Sequence, residues 1–156
     1  MKPIICPRTH VEEAWIDYNG HMNMAYYNVV FDRGVDHFYD MIGIGESYVR
    51  EGGSVFTMEV HVHYLNELSL GDPIEVHLRL LDHDAKRVHF FEEMYHAEEG
   101  YLAATSEQLG LHVDMTTRRS APLPDAAQAR LADVMAEHRQ LPTPSQVGHV
   151  IGIPRK

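Results

Sequence analysis

Residues 17–42 read DYNGHMNMAYYNVVFDRGVDHFYDMI and predict a polar loop that leads into one long helix. From residue 24 onward, apolar side chains recur at spacings of three and four, which is typical of a helix with one buried stripe. The stripe contains Met24, Tyr27, Phe31, Val35, Phe38 and Ile42. Asn23 can cap the start of this helix, and Gly43 and Gly45 can end it. We expect such an apolar helix to be the central buried element of the fold.

On either side of this helix the sequence predicts strands, because apolar residues recur at every second position. Residues 9–15 alternate in this way and predict a first strand. In the next strand, from residue 54, one face contains Phe56, Met58, Val60, Val62 and Tyr64. Further strands are predicted at residues 74–82, 87–97 and 101–114, and a terminal helix at residues 125–139. The apolar face of the sheet can be buried only on the long helix, which predicts an α+β fold with a curved antiparallel sheet wrapped around that helix.

The length and composition are typical of a single globular domain, and the net charge disfavours anionic partners. The 156 residues suit a single domain, assigned to residues 1–140, with an extended C-terminal tail at residues 141–156. The chain has 13 Lys and Arg against 23 Asp and Glu, a net charge of −10, which disfavours nucleic acid and anionic membranes as partners. Cys6 is the single cysteine, so no internal disulfide can form. With no targeting peptide or membrane-spanning stretch recognised, we expect a cytoplasmic location.

The order of elements, with Asp17-x-x-Gly20-His21 leading into the helix, resembles the hotdog fold of the 4-hydroxybenzoyl-CoA thioesterase superfamily. The resemblance covers about residues 9–115, and the segment from Tyr64 to Ile74 adds a less specific match to it. It implies a five-stranded sheet, a homodimer or dimer of dimers with active sites at the interface, and hydrolysis of an acyl-CoA. More narrowly, the chain resembles the thioesterases of bacterial carnitine degradation, which hydrolyse betainyl-CoA.

The same resemblance implies that Asp17 is the catalytic carboxylate. Thioester hydrolysis needs a carboxylate that attacks the carbonyl or activates water, and donors that stabilise the oxyanion. Because the first amides of a helix have no internal acceptor, we expect the backbone at Gly20, His21 and Met22 to polarise the carbonyl. The side chains of Asn19 and His21 would position water, substrate or Asp17. From the residues alone, simple helix capping by Asp and Asn stays open.

Two further groups are candidates for contact with the substrate. Aromatic rings near the loop could surround a quaternary ammonium group, since ring faces attract cations, although aromatic residues are more often core. These rings belong to Trp15, Tyr18, Tyr26, Tyr27 and Phe56. Lys86 and Arg87, at a predicted hairpin tip, could meet the CoA phosphates, or they could belong to an ordinary solvated turn. Arg118 and Arg119 are a second candidate of the same kind.

Other chemistries find less support. His61 and His63 share a strand face with Glu59, but this spacing without further context does not predict a metal site, and no cofactor is expected. Cys6 lacks the surroundings of a cysteine nucleophile, and no phosphate-binding loop or GxSxG motif occurs. Two alternatives stay open: an enoyl-CoA hydratase or dehydratase on the same fold, and a non-catalytic acyl-CoA-binding module.

Overall fold

The computed structural model describes residues 2–155, which form one antiparallel sheet packed on a long helix. The strands are β1 (Ile4–Ile5), β2 (Thr9–His10), β3 (Gly53–Tyr64), β4 (Pro73–His83), β5 (Arg87–His96), β6 (Leu102–Asp114) and β7 (Arg119–Ser120). The helices are α1 (Met24–Ile42) and α2 (Asp125–His138), with short 3-10 helices at Glu13–Trp15 and Glu46–Glu51. No helix among the described residues is long and apolar enough to cross a membrane.

The helix α1 has the predicted bounds because both of its ends are set locally. The Asn23 side chain accepts a hydrogen bond from the amide of Ala25 at 3.0 Å and caps the N-terminus. Gly43 ends the helix in the left-handed conformation, at φ 81°, which glycine adopts without strain. The predicted stripe is buried from Tyr27 to Ile42, whereas Met24 in the first turn is 61% exposed.

The sheet confirms the predicted α+β architecture, with a difference in strand count. Its long strands follow the order β4-β5-β6-β3, and all pairs are antiparallel. The two-residue strands β1 and β2 pair with β4, and β7 pairs with β6. The described sheet therefore has four long strands and three very short ones, where five strands were expected. One face packs on α1, and β3 forms an edge of the sheet.

The prediction of a first strand over residues 9–15 is wrong beyond His10. The ladder between β2 and β4 ends at the pair His10 and Pro73, where β4 itself begins. The chain then forms the 3-10 helix that ends at Trp15, while Val11 and Trp15 are still buried as the alternation suggests. A strand needs a hydrogen-bonded neighbour along its whole length, and β4 offers none beyond Pro73.

The predicted single face of β3 is also wrong at one end. A β-bulge between Thr57 and Glu59 inserts an extra residue opposite β6. Since side chains alternate between faces, the bulge places Phe56 on the opposite face of the sheet from Val62 and Tyr64. In the structure, Phe56 instead lies under the guanidinium of Arg118, 5.3 Å from its ring centroid.

After α2 the chain runs back along the outer face of the sheet, the face turned away from α1. Arg79 donates a hydrogen bond to the carbonyl oxygen of Pro142, and Glu107 accepts one from the amide of Gly148 at 2.7 Å. The segment is therefore held at two places. Its predicted start at residue 141 stays a prediction.

Candidate active site

The loop before α1 is a closed turn that points its carboxylate toward the helix N-terminus. The amide of Asp17 donates to the carbonyl of His21 at 3.2 Å, and the amide of Gly20 donates back to the carbonyl of Asp17 at 3.0 Å. Gly20 has φ 85°, a left-handed conformation that closes this turn and that other residues adopt only with strain. The loop is therefore fixed by its own backbone.

The Asp17 carboxylate is held on both oxygens. Its Oδ1 accepts a hydrogen bond from the amide of Asn19 at 2.8 Å, and its Oδ2 accepts one from the side-chain amide of Asn23 at 2.9 Å. These donors favour the ionised form, and the pKa of Asp17 is lowered, by the Asn19 amide most and then by Asn23. The group is thus ionised at neutral pH and oriented, with lone pairs left for a further donor.

Asp17 lies at a cavity of about 450 Å³ between the start of α1, the end of β3 and the loop that follows β3. The lining residues are Asp17, Tyr18, Asn19, His21, Met22, Asn23, Met24, Tyr27, Tyr64, Leu65, Asn66 and Glu67. The structure therefore brings the three predicted catalytic residues to one cavity. It is open to solvent on one side, where Tyr18 is 97% exposed.

The partner of His21 was missed by the sequence analysis. His21 Nε2 lies 3.4 Å from a carboxylate oxygen of Glu67, in the loop after β3. The backbone there is fixed, because Tyr101 donates to the carbonyl of Glu67 at 3.0 Å and the amide of Met22 donates to the carbonyl of Leu68 at 2.8 Å. Glu67 belongs to the run from Tyr64 to Ile74, which the sequence analysis matched to the family. The sequence did not show that the side chain of Glu67 reaches His21.

The predicted oxyanion donors need a correction. The amides of Gly20 and Met22 already donate to the carbonyls of Asp17 and Leu68, so neither is free for a substrate. Within residues 2–155, the amides of His21 and Met24 donate to no protein acceptor. Met24 is the first residue of α1, where the positive end of the helix dipole is strongest. His21 and Met24 are therefore among the free backbone donors at this cavity.

The aromatic residues separate into two groups. Tyr27 and Tyr64 line the cavity, with their rings edge to face and centroids 5.2 Å apart. Trp15 is buried and stacks on Tyr26 at 5.6 Å, so this pair belongs to the core, and neither ring lines the cavity. Phe56 lies on the other face of the sheet. Of the five rings named from the sequence, Tyr18 and Tyr27 line the cavity, whereas Tyr64 was missed.

The remaining candidates lie away from this cavity. Arg87 is paired with Asp84, whose carboxylate also accepts hydrogen bonds from the amides of Lys86 and Arg87 in the hairpin between β4 and β5. A role of Lys86 and Arg87 in CoA binding stays a prediction. Burial raises the pKa of the Cys6 thiol to about 12, so it is protonated at neutral pH and is no nucleophile. The histidines that could hold a metal ion lie on β3 and the C-terminal segment, not at the Asp17 cavity.

The sequence has clear relatives. The model of the thioesterase-like superfamily matches residues 11–131. A betainyl-CoA thioesterase from Pseudomonas aeruginosa is 40% identical over 147 residues, which are 94% of this chain and 92% of that protein. An L-carnitine dehydrogenase/betainyl-CoA thioesterase from Rhizobium meliloti is 37% identical over 150 residues, covering 96% of this chain. This chain spans only about 30% of the length of that second relative.

The fold has close structural counterparts as well. A protein from Staphylococcus aureus, solved in complex with CoA, superposes with a TM-score of 0.91 and is 34% identical. The superposition covers 99% of this chain and 98% of the other. The chain therefore belongs to the thioesterase-like superfamily and has its hotdog fold.

Proposed function

We propose that this protein hydrolyses an acyl-CoA thioester to the free acid and CoA. The observation that carries the proposal is the ionised Asp17 carboxylate, held by Asn19 and Asn23 at a cavity beside the N-terminus of α1. A basic oxygen and free amides then lie at one place, which is the arrangement that acyl transfer to water requires. Membership of the thioesterase-like superfamily and the CoA complex of a 34% identical protein support it.

The chemistry needs one proton acceptor and one oxyanion site. In the general-base route, Asp17 takes a proton from water while the water oxygen bonds to the thioester carbon. The amides of His21 and Met24 stabilise the carbonyl oxygen as it becomes negative. The C–S bond then breaks, and the proton passes from Asp17 to the CoA thiolate. In the nucleophilic route, Asp17 itself attacks the thioester carbon, and the C–S bond breaks to release the CoA thiolate. Water then hydrolyses the mixed anhydride to the free acid and the Asp17 carboxylate, and the proton released goes to the thiolate.

Labelled water separates the two routes. A single turnover in ¹⁸O water puts the label only into the acid product if Asp17 is a base. If Asp17 is the nucleophile and water attacks the anhydride at its Asp17 side, the label enters the carboxyl group of Asp17, which peptide mass spectrometry detects. Asn19, His21 and Glu67 would have positioning roles in both routes, since they lie beside the carboxylate and the cavity.

Betainyl-CoA is the substrate that we propose. Two relatives with 40% and 37% identity are betainyl-CoA thioesterases by name. The cavity also has the features that a trimethylammonium group favours: the rings of Tyr27 and Tyr64, and the carboxylate of Glu67. Ring faces attract a cation by about 0.5–2 kcal/mol each, depending on solvent exposure. Asn19 and Tyr18 at the open side leave room for the CoA portion.

In this proposal the enzyme is a cytoplasmic homodimer or dimer of dimers. The edge strand β3 has an unpaired side within the described residues, and several of its apolar side chains are exposed. These exposed side chains belong to Phe56, Met58, Val60 and Tyr64. Pairing of β3 with its copy would cover them and bring a second chain close to the cavity at Tyr64.

The decisive experiment compares two aspartates that play the same backbone role. Asp17→Ala is expected to lower thiol release from betainyl-CoA by about 10²- to 10⁴-fold, the usual contribution of a general base. Asp114 is the matched control, because it too is half-buried and accepts backbone hydrogen bonds, from Thr116 and Thr117. Asp114→Ala should leave turnover nearly unchanged. Equal activity of the Asp17 variant and the wild type would refute the proposal.

The acyl group is tested with an uncharged isostere. 3,3-Dimethylbutyryl-CoA replaces the trimethylammonium group with a tert-butyl group of almost the same shape. We expect kcat/KM to favour betainyl-CoA by about 10- to 100-fold, which corresponds to one or two cation–π contacts. Equal values would reject the cationic substrate while leaving thioester hydrolysis intact.

A further inference from the structure

Three histidines from distant parts of the chain meet on the outer face of the sheet. His61 and His63 lie on β3, with ring centroids 5.3 Å apart. His149 belongs to the segment after α2, and its ring centroid lies 4.3 Å from that of His63 and 5.6 Å from that of His61. A nitrogen atom from each ring lies within 4.8 Å of the other two. The sequence indicated the first two residues, but only the fold adds the third.

The position of His149 is set by hydrogen bonds of its own segment. The amide of His149 donates to the carbonyl of Gln146 at 3.1 Å, and the preceding residue, Gly148, has φ 70°, which suits glycine in a turn. The amide of Gly148 donates to Glu107 on β6, and β6 pairs Glu107 with His61 across the strands. The third ring is therefore brought to the first two by a turn that is anchored on the sheet.

We propose that His61, His63 and His149 bind one divalent transition-metal ion, zinc being the best match, and that the ion fastens the C-terminal segment to β3.

The donor atoms suit this class of metal. Imidazole nitrogen is a ligand that zinc, copper, nickel and cobalt prefer, at about 2.0–2.1 Å for zinc. In a tetrahedral site of that size the nitrogens stand roughly 3.3 Å apart, so the three rings need only small side-chain rotations to reach it.

The surroundings supply charge, support and a fourth position. His61 and His149 border a cleft of about 550 Å³ whose wall includes the side chains of Glu59 and Glu107. Glu59 shares the outer face of β3 with His61 but stands outside the cluster of three, so water would take the fourth position. Glu107 also binds His89 Nε2 at 2.8 Å, so it is a supporting group and not a ligand. The site lies on the face of β3 opposite to Tyr64 and the Asp17 cavity, and it is independent of the thioesterase proposal.

Cobalt titration of the full chain tests the site. Co²⁺ is expected to bind at one equivalent per chain and to give the intense visible bands of tetrahedral nitrogen coordination, which Zn²⁺ then displaces. His149→Ala and His63→Ala should each weaken binding by at least about tenfold, since even residues that only support a ligand often contribute that much. His83→Ala is the matched control, because His83 borders the same cleft but stands outside the cluster. It should bind as tightly as the wild type.

A second measurement reports on the segment itself. Hydrogen exchange at residues 141–155 should slow on addition of Zn²⁺ in the wild type and in His83→Ala, and should not change in His149→Ala. A wild-type protein that binds no Co²⁺ or Zn²⁺ would overturn the proposal. Binding of undiminished strength in His149→Ala, or the same loss of affinity in His83→Ala, would also overturn it.

Discussion

Asp17 and Glu92 are two carboxylates beside the same helix, and their surroundings shift their pKa values in opposite directions. Asp17 stands in the loop before α1 and accepts hydrogen bonds on both oxygens, which lower its pKa. Glu92 lies on β5 against the middle of α1 and is 0% exposed. One of its oxygens accepts a hydrogen bond from Gln108 at 2.9 Å, and the other has no partner among the described residues. Burial raises the pKa of Glu92 well above its ordinary value.

The difference shows why only one of them suits the proposed chemistry. A general base or nucleophile must be ionised at neutral pH and within reach of substrate, and Asp17 meets both conditions. Burial favours the neutral form of Glu92, because a buried charge without a cationic partner is costly. Its carboxyl group fills a polar niche between Gln108 and the backbone of α1 at Gly34. The two side chains carry the same functional group, so the difference between them comes from the hydrogen bonds and burial around each.

The strongest test of this comparison replaces each carboxyl group with an amide of nearly the same shape. Asp17→Asn should lower kcat for acyl-CoA hydrolysis by about 10²- to 10⁴-fold, since the amide cannot accept the proton. Glu92→Gln should leave kcat nearly unchanged, because Glu92 lies in the core and does not line the cavity. Thiol-release assays and thermal unfolding of both variants check this. If Glu92→Gln were as inactive as Asp17→Asn, the assignment of the proton acceptor to Asp17 alone would be contradicted.

The pH dependence of stability should reveal Glu92. Its folded-state pKa is raised, so its contribution is complete below the unfolded pKa of about 4.3 and is lost as pH rises toward the folded value. The loss is at most about 1.4 kcal/mol per pH unit. Urea unfolding from pH 5 to pH 8 should therefore show a shallower decline for Glu92→Gln than for the wild type. Parallel curves would contradict the raised pKa.

Gly34 should sharpen the description of the Glu92 niche. A Cβ atom at Gly34 would come 2.6 Å from the unpartnered oxygen of Glu92 and 3.3 Å from Cγ1 of Val76. Gly34→Ala is expected to destabilise the fold by about 1–2 kcal/mol, since overpacking outweighs the gain in helix propensity. In a Glu92→Ala background the same change should cost less, because the obstructing oxygen is gone. Equal costs in both backgrounds, measured by urea unfolding, would show that Glu92 does not limit this contact.

Substitution of Asn23 should have the smallest effect of these changes. Asn23 has two roles, as the cap of α1 and as a hydrogen-bond donor to Asp17, and two variants separate them. Asn23→Ala removes the helix cap and should cost about 1 kcal/mol of stability. It also removes the donor to Oδ2 of Asp17, which raises the pKa of Asp17, so activity should fall at a higher pH on the acid side. Asn23→Asp keeps a cap but not the donor, so it should shift the pH profile of kcat/KM with little loss of stability. If the pH profile of kcat/KM were unshifted in both variants, Asn23 would not lower the pKa of Asp17.

The sequence by itself determined the parts of the molecule that depend on near neighbours. The helix α1 has its predicted bounds because Asn23 and Gly43 act within one turn of it. The bounds of the long strands agree with the predicted ones to within about one residue. The hydrogen bonds of the Asp17 carboxylate are local too, because its partners, Asn19 and Asn23, lie only two and six residues away.

Only the tertiary structure decided what depends on partners far along the chain. The amide of Met22 was a predicted oxyanion donor, but Leu68 occupies it. Phe56 left the predicted face because a bulge at the pairing of β3 with β6 reversed its side. Glu67 reached His21, and His149 reached His63, across long stretches of sequence. A periodic pattern gives the direction of a side chain within its own element, but which atom it meets depends on how the elements are packed.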